Sequence, residues 1–240
     1  EDAIFQVLVE RPDDLRHAVD ELLRLSDDVS SPLHGIADGG EYAVMGHSFG
    51  THTALVLAGG RLDHEAFVAH CGTDPSPSAC RYLGQFDPEE WGRHGTADSR
   101  VSAVLPMSPG LWYFFGGDGE GLSHTPPSLV MAGTLDGVLG YGNEALPVYG
   151  SMGPDKTLAT FHGAGHYGFS DICLLASFLS DECAGSQDGW QEIGTTQELS
   201  NTLAASFLGR ELLGDERYGE WLEPGAWDGA EVSLETEQGP

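Results

Sequence analysis

Residues 42–58 read YAVMGHSFGTHTALVLA, and this stretch decides the fold. An apolar run at 42–45 precedes the pentapeptide GHSFG at 46–50, and an apolar, helix-forming run at 51–58 follows it. A strand, a Gly-x-Ser-x-Gly turn and a helix in this order hold a serine on a sharp turn above the edge of a sheet. Because neighbouring side chains would collide in such a turn, glycines are expected on both sides of the serine. The stretch therefore predicts Ser48 as a nucleophile at the end of a buried strand.

Further along the chain, short apolar runs alternate with helical patterns. The runs at 101–105, 128–132 and 157–161 are typical of buried parallel strands. Helices are predicted at 11–27, 170–179 and 196–213, and an irregular excursion over the sheet at 63–95. This alternation predicts an α/β fold, with a mostly parallel central sheet and helices on both faces. Residues 1–223 are predicted to form one domain, and the acidic, Gly-rich residues 224–240 a loosely held or extended tail.

Two later strand ends are followed by residues that can complete a proton-transfer chain with Ser48. In this arrangement the acid and the base follow the serine in that order, each after a later strand. Asp136 comes directly after the run that ends at 132, and His166 follows the run that ends at 161. Asp155 and Asp171 are alternative acids, but neither directly follows a strand. We therefore expect Ser48 as nucleophile, His166 as general base and Asp136 as the acid that orients the histidine.

The chain has ten histidines, so the choice of base needs an argument. His162 adjoins the strand and should be held by it, whereas His166 follows a flexible Gly-Ala-Gly loop. As a pair four residues apart the two could bind a metal on a helix, but the glycines between them disfavour a helix. His47 and His52 flank the nucleophile and are expected to pack or to contact solvent. We predict no metal and no cofactor.

The four cysteines form two local pairs in the sequence. Cys71 and Cys80 enclose CGTDPSPSAC, while Cys173 and Cys183 flank CLLASFLSDEC. Four cysteines permit three pairings, and the local one is the simplest. It would indicate an oxidising compartment, so we expect a secreted or periplasmic protein. The alternative is four reduced, partly buried thiols.

The charge balance excludes several classes of partner. The chain has 38 acidic and 10 basic residues, a formal net charge of -28. Such a surface repels phosphate groups, so nucleic-acid binding is not expected. No run approaches the roughly 18 apolar residues of a membrane span.

Three segments together resemble the α/β-hydrolase superfamily: GHSFG, GTLD at 133–136 and GAGHYGFSD at 163–171. The likeness is to its bacterial dienelactone-hydrolase-like and platelet-activating-factor-acetylhydrolase-like esterases. The chain is also similar to cutinase-type polyester (PET) hydrolases through AVMGHS at 43–48, SPGLW at 108–112 and ALPVY at 145–149. The resemblance spans about 11–178.

The resemblance implies the same three residues, Ser48, Asp136 and His166, in a serine hydrolase of small esters or polyesters. It also implies that Trp112 and its neighbour Tyr113 could face the substrate, the alternative being ordinary packing under a loop. The backbone N–H of Phe49, at the start of the helix, is predicted to donate to the oxyanion. The competing functions are a lipase or phospholipase-type acetylhydrolase, and an inactive hydrolase fold used for binding.

The sequence departs from the family pattern in three ways. A serine stands where dienelactone hydrolases have cysteine, which disfavours their reaction. Only 47 residues precede Ser48, and no His-Gly or Gly-Gly stretch among them could supply a second oxyanion donor. We therefore expect that N-terminal strands of the fold are missing from this chain and come from an upstream segment or a companion chain.

Overall fold

The centre of the molecule is one five-stranded sheet whose strands lie side by side in sequence order. The computed structural model describes residues 3–94, 96–176, 189–227 and 231–239. The strands are β1 (Tyr42–His47), β2 (Val101–Met107), β3 (Ser128–Gly133), β4 (Lys156–Phe161) and β5 (Val232–Glu237). The first four are parallel, and β5 pairs antiparallel with β4. The predicted α/β fold with a mostly parallel sheet is confirmed.

Helices surround this sheet. The α-helices are α1 (Ala3–Asp27), α2 (Phe49–Leu57), α3 (His64–Thr73), α4 (Pro88–His94), α5 (Leu146–Ser151), α6 (Ile172–Leu175) and α7 (Ile193–Leu213). Single-turn and 3₁₀ segments lie at Ser78–Gln85, Trp112–Phe115, Glu120–Leu122, His166–Phe169 and Glu216–Leu222, and a π-helical turn at Tyr141–Ala145. The stretch 63–95, expected to be irregular, thus contains two helices and a 3₁₀ segment. None of the described helices is long and apolar enough to cross a bilayer.

The sheet separates two apolar cores because successive strand residues point to opposite faces. On one face, Val104, Val130 and Leu158 pack with apolar residues of α2 and with an aromatic cluster around Phe67. On the other face, the alternate strand residues pack against Leu203 and Phe207 of α7 and against Phe169, which follows His166. All residues of β3 and β4 are buried, as expected for strands covered on both faces. The sequence of β3 is accordingly mostly apolar, whereas β4 also buries Lys156, Thr157 and Thr160.

Two boundaries differ from the predictions. Helix α1 begins at Ala3 and has Pro12 in its interior, although a start at Arg11 was expected from the proline. Proline costs a helix one hydrogen bond, but here Leu8 and Val9 are buried in the core and stabilise the preceding turns. Within the stretch expected to be a loosely held or extended tail, Val232–Glu237 form β5. In that strand only alternate residues, Val232 and Leu234, are buried, so its acidic composition concealed the pattern.

One of the two predicted disulfides is confirmed. Cys71, in the last turn of α3, is bonded to Cys80 in the 3₁₀ segment Ser78–Gln85. Cys173 is buried and also disulfide-bonded, but its predicted partner Cys183 lies outside the described residues. The confirmed bond attaches the segment Ser78–Gln85 to α3.

The turn from β1 into α2 is the most constrained part of the backbone. Ser48 has φ 54° and ψ -123°, a conformation that non-glycine residues rarely adopt and that costs about 1–3 kcal/mol. A Cβ on Gly46 would lie less than 3.0 Å from the carbonyl group of Gly50, whereas a Cβ on Gly50 would meet nothing within 4 Å. The turn therefore requires a glycine at 46 and not at 50, in contrast to the expectation for both.

This asymmetry gives a test with a control inside the same motif. Gly46→Ala should destabilise the fold by about 2 kcal/mol or more, because the added methyl group meets backbone that cannot move aside. Gly50→Ala, in an open helical position, should be neutral or stabilise by about 0.5–1 kcal/mol. Urea unfolding of the two variants measures both values. Equal effects of the two substitutions would contradict this account of the turn.

Candidate active site

The three residues predicted from the sequence lie in one hydrogen-bonded chain. Nε2 of His166 is 2.7 Å from Oγ of Ser48, and Nδ1 of His166 is 2.8 Å from Oδ2 of Asp136. A carboxylate can only accept, so Nδ1 carries a proton and donates it to Asp136. Nε2 of the neutral ring is then the acceptor, and the Ser48 hydroxyl donates to it. The serine proton thus points at a nitrogen that can take it.

Asp136 is held in place by the backbone of its own loop. Its Oδ1 accepts hydrogen bonds from the backbone N–H groups of Val138 (2.9 Å) and Leu139 (2.8 Å). Burial alone would raise the pKa of Asp136. The hydrogen bond and charge interaction with His166 and the two backbone donors outweigh it and lower the pKa. The carboxyl group is therefore a charged acceptor for the histidine at neutral pH.

The loop that bears His166 is anchored by a second histidine. Nε2 of His47 lies 2.8 Å from the backbone carbonyl oxygen of His166, and the two rings are 4.9 Å apart. Because a carbonyl can only accept, His47 must carry its proton on Nε2. Burial, the main cause, lowers the pKa of His47 and keeps its ring neutral. The expected packing role of His47 is thus accompanied by a hydrogen bond that positions the candidate base.

The remaining histidines near the site have other surroundings. Nε2 of His162 is 3.0 Å from Oγ of Ser233 in β5, so this ring is held at the sheet edge and away from Ser48. His52, on α2, is buried beside Phe114 and Phe115, and neither ring nitrogen has a hydrogen-bond partner among the described residues. Burial, with a smaller contribution from Arg11, lowers the pKa of His52 to about 3.

The start of α2 lies directly beside the Ser48 hydroxyl. Phe49 is the first helical residue, so its backbone N–H has no acceptor within the helix. The N-terminal end of a helix also carries a partial positive charge. These features suit the oxyanion role expected for Phe49, which stays a prediction.

Two cavities are both lined by Ser48. A groove of about 750 Å³ lies between α1, β1 and α2, and its lining includes all of β1 with Arg11, Leu15 and Val19 of α1. An apolar cavity of about 300 Å³ lies beside α2. Its lining includes Leu8, Phe49, Ala79, Tyr82, Leu111, Val138 and Leu139. We call these the edge groove and the apolar cavity.

Substrate contact and ordinary packing were both open for Trp112 and Tyr113, and Tyr113 is packed. Tyr113 is 2% exposed and its ring stacks on His70 at 4.2 Å. Trp112 is half-buried, and its indole N–H donates to the carbonyl oxygen of Asn143. The wall of the apolar cavity is formed by the preceding residue, Leu111.

Glu144 was not predicted as a site residue, and it positions Leu111 in the cavity wall. Its Oε2 accepts a hydrogen bond of 2.8 Å from the backbone N–H of Leu111, which has φ 62°. Burial, only partly offset by that hydrogen bond, raises the pKa of Glu144 to about 7. No signal in the sequence marks this glutamate, because its partner is 33 residues away along the chain.

Comparison with protein-family models and with curated proteins identifies no relative. A scan against protein-family models found no match, and a search of curated proteins found no similar sequence. Within the described ranges, no group of three or more His, Cys, Asp or Glu residues could hold a metal ion. The chemistry of the site must therefore be argued from its own geometry.

The buried ring of His52 makes folding sensitive to acid. The folded protein keeps this ring neutral, whereas the unfolded chain binds a proton below its ordinary pKa of 6.5. Above pH 6.5 the ring is neutral in both states, and the folded protein has its full stability. As the pH falls from 6.5 toward 3, protonation of the unfolded chain lowers the free energy of unfolding progressively. Between pH 6 and 4, the stability of wild type relative to His52→Leu should fall by about 1.4 kcal/mol per pH unit.

Denaturant unfolding at several pH values measures this slope. His124→Leu, at an exposed position, controls for the loss of a histidine as such. Parallel pH profiles for wild type and His52→Leu would show that the buried ring does not stay neutral in the folded state.

Proposed function

We propose that this protein is a serine-dependent carboxylic-ester hydrolase that acts through an acyl-enzyme. One observation carries the proposal: Ser48 after β1, His166 after β4 and Asp136 after β3 are joined by hydrogen bonds of 2.7 and 2.8 Å. Nucleophile, base and orienting acid in mutual contact are what a serine needs to attack a carbonyl group.

In the proposed reaction, Oγ of Ser48 attacks the ester carbonyl carbon while Nε2 of His166 takes the hydroxyl proton. Asp136 stabilises the imidazolium that forms. The negatively charged oxygen of the tetrahedral intermediate accepts a hydrogen bond from the backbone N–H of Phe49 at the start of α2. A preorganised donor of this kind contributes roughly 10²-fold to 10³-fold to the rate.

Collapse of the intermediate breaks the ester bond, and the alcohol leaves with the proton held by His166. The acyl group then remains on Ser48. Water, activated by the same imidazole, attacks this acyl-enzyme and releases the acid. The hydrogen bonds from Val138 and Leu139 to Asp136, and from His47 to the His166 backbone, keep the three groups aligned through both halves of the cycle.

The chemistry of the surroundings favours uncharged substrates. The chain carries a net charge of -28, which opposes anionic substrates and anionic lipid surfaces. We therefore assign it small neutral esters or polyesters, as the likeness to cutinase-type enzymes suggests, in preference to phospholipids. The Cys71–Cys80 disulfide supports a secreted or periplasmic location.

Substitution of the reacting groups tests the proposal. Ser48→Ala and His166→Ala should each lower kcat for p-nitrophenyl acetate by roughly 10³-fold to 10⁶-fold, and to a similar degree, because the groups act as one unit. His162→Gln is the matched control: it changes a histidine of the same loop but can keep the hydrogen bond to Ser233. Turnover that survives in Ser48→Ala would contradict the proposed mechanism. A loss in His162→Gln as large as that in His166→Ala would contradict it as well.

A further inference from the structure

The apolar cavity beside Ser48 has a lining that selects for hydrocarbon. No residue that lines it carries a charge, and its polar side chains are confined to Ser48, Thr51, Ser78 and the hydroxyl of Tyr82. A charged group would lose its hydration there without gaining a partner charge, which is costly. At about 300 Å³ the cavity lies at the lower end of the range for small-molecule sites. It suits one unbranched, uncharged chain.

The position of the cavity relative to His166 decides which end of an ester enters it. The leaving alcohol must lie near Nε2 of His166, which gives it a proton. His47, which contacts the His166 loop, lines the edge groove, whereas the apolar cavity extends from Ser48 toward Leu111 and Leu139. This placement favours the apolar cavity for the acyl chain and the edge groove for the alcohol.

Two walls of the cavity are fixed in different ways. Leu111 is held by Glu144, and Leu139 by Asp136, through hydrogen bonds of 2.8 Å each. The opposite wall, Ala79 and Tyr82, belongs to the segment Ser78–Gln85, an eight-residue 3₁₀ helix. Such runs are rarely longer than about four residues because their hydrogen bonds are poor. This wall therefore depends on anchors outside itself.

The disulfide is such an anchor. Cys80 lies between Ala79 and Tyr82 in the sequence, and its bond to Cys71 attaches this wall to α3. Phe67 of α3 is fully buried in the aromatic cluster, which contacts Phe86 at the end of the segment. Opening the bond removes the covalent attachment of this wall to α3 and leaves it held by the packing of Ala79, Tyr82 and Leu83 on the core.

We propose that the apolar cavity binds the acyl chain of the substrate, and that the Cys71–Cys80 disulfide holds the wall that gives the protein its preference for medium-length chains. This inference rests on the proposed ester hydrolysis and names its substrate class: neutral esters of unbranched fatty acids.

A pair of isomeric esters tests which end enters the cavity. Methyl octanoate and heptyl acetate have the same composition but carry the long chain on opposite sides of the ester bond. We expect kcat/KM to be at least tenfold higher for methyl octanoate. Along the methyl ester series, kcat/KM should rise by about fourfold for each added CH₂ until the cavity is full. Equal values for the two isomers would overturn the assignment of the acyl chain to the cavity.

The wall is tested by two variants that act independently. Cys71→Ser/Cys80→Ser should lower the ratio of kcat/KM for methyl octanoate over methyl acetate by at least tenfold. If this double variant does not fold, Ala79→Leu fills the cavity with the disulfide intact and should lower the same ratio. Ala69→Leu, at an exposed position of α3, is the control and should keep the ratio.

An unchanged ratio in Ala79→Leu would overturn the cavity as the acyl site. An unchanged ratio in a folded double variant would overturn the role of the disulfide.

A binding measurement separates this inference from the proposed reaction. Methyl heptyl ketone carries the same alkyl chain as octanoate but cannot be hydrolysed. Calorimetric titration into Ser48→Ala should show binding that Ala79→Leu weakens at least tenfold. If the ketone binds in this way but the wild type hydrolyses no ester, the proposed function fails and the cavity assignment stands. If esters are hydrolysed without regard to acyl length and the ketone does not bind, the cavity assignment fails.

Discussion

The site depends on one close backbone contact, between Gly46 at the end of β1 and the carbonyl group of Gly50 in α2. This contact permits the chain to turn from strand to helix within a few residues and holds Ser48 at a positive φ angle. The hydroxyl is thereby raised above the sheet, with the start of α2 directly beside it. The cost of about 1–3 kcal/mol at Ser48 is offset by two cores that fix β1 and α2 on either side of the turn.

Hydrogen bonds between neighbouring strand ends also fix the loops that bear Asp136 and His166. The backbone N–H of Ser48 donates to Met107 at the end of β2. The loop of Asp136 is joined to the loop of His166 by the bond from Leu135 N–H to the carbonyl oxygen of Ala164. The acid, base and nucleophile therefore come from three strand ends that backbone hydrogen bonds join to neighbouring strands and loops. Such preorganisation is what electrostatic stabilisation of a transition state requires.

The residues of the candidate site that follow directly after a strand could be predicted from the sequence, because a strand is recognised from a short apolar run. Ser48, Asp136 and His166 were identified because each follows an apolar run that must be a buried strand, and parallel strands bring these ends together. Contacts between distant segments could not be predicted. Glu144 meets Leu111 across 33 residues, and the acidic strand β5 joins the sheet only because β4 offers it an edge. Tyr113 faces α3, and nothing in its own segment indicates this.

The central claim is that Ser48 is a nucleophile activated by His166. An alkyl fluorophosphonate, which reacts with activated serines, tests it by intact mass and peptide mapping, with no assumption about the natural substrate. The account predicts a single adduct on the peptide that contains Ser48, formed by the folded protein and lost in His166→Ala and in urea. No adduct on the folded wild type, or an adduct at Ser48 that forms equally fast in His166→Ala, would contradict it.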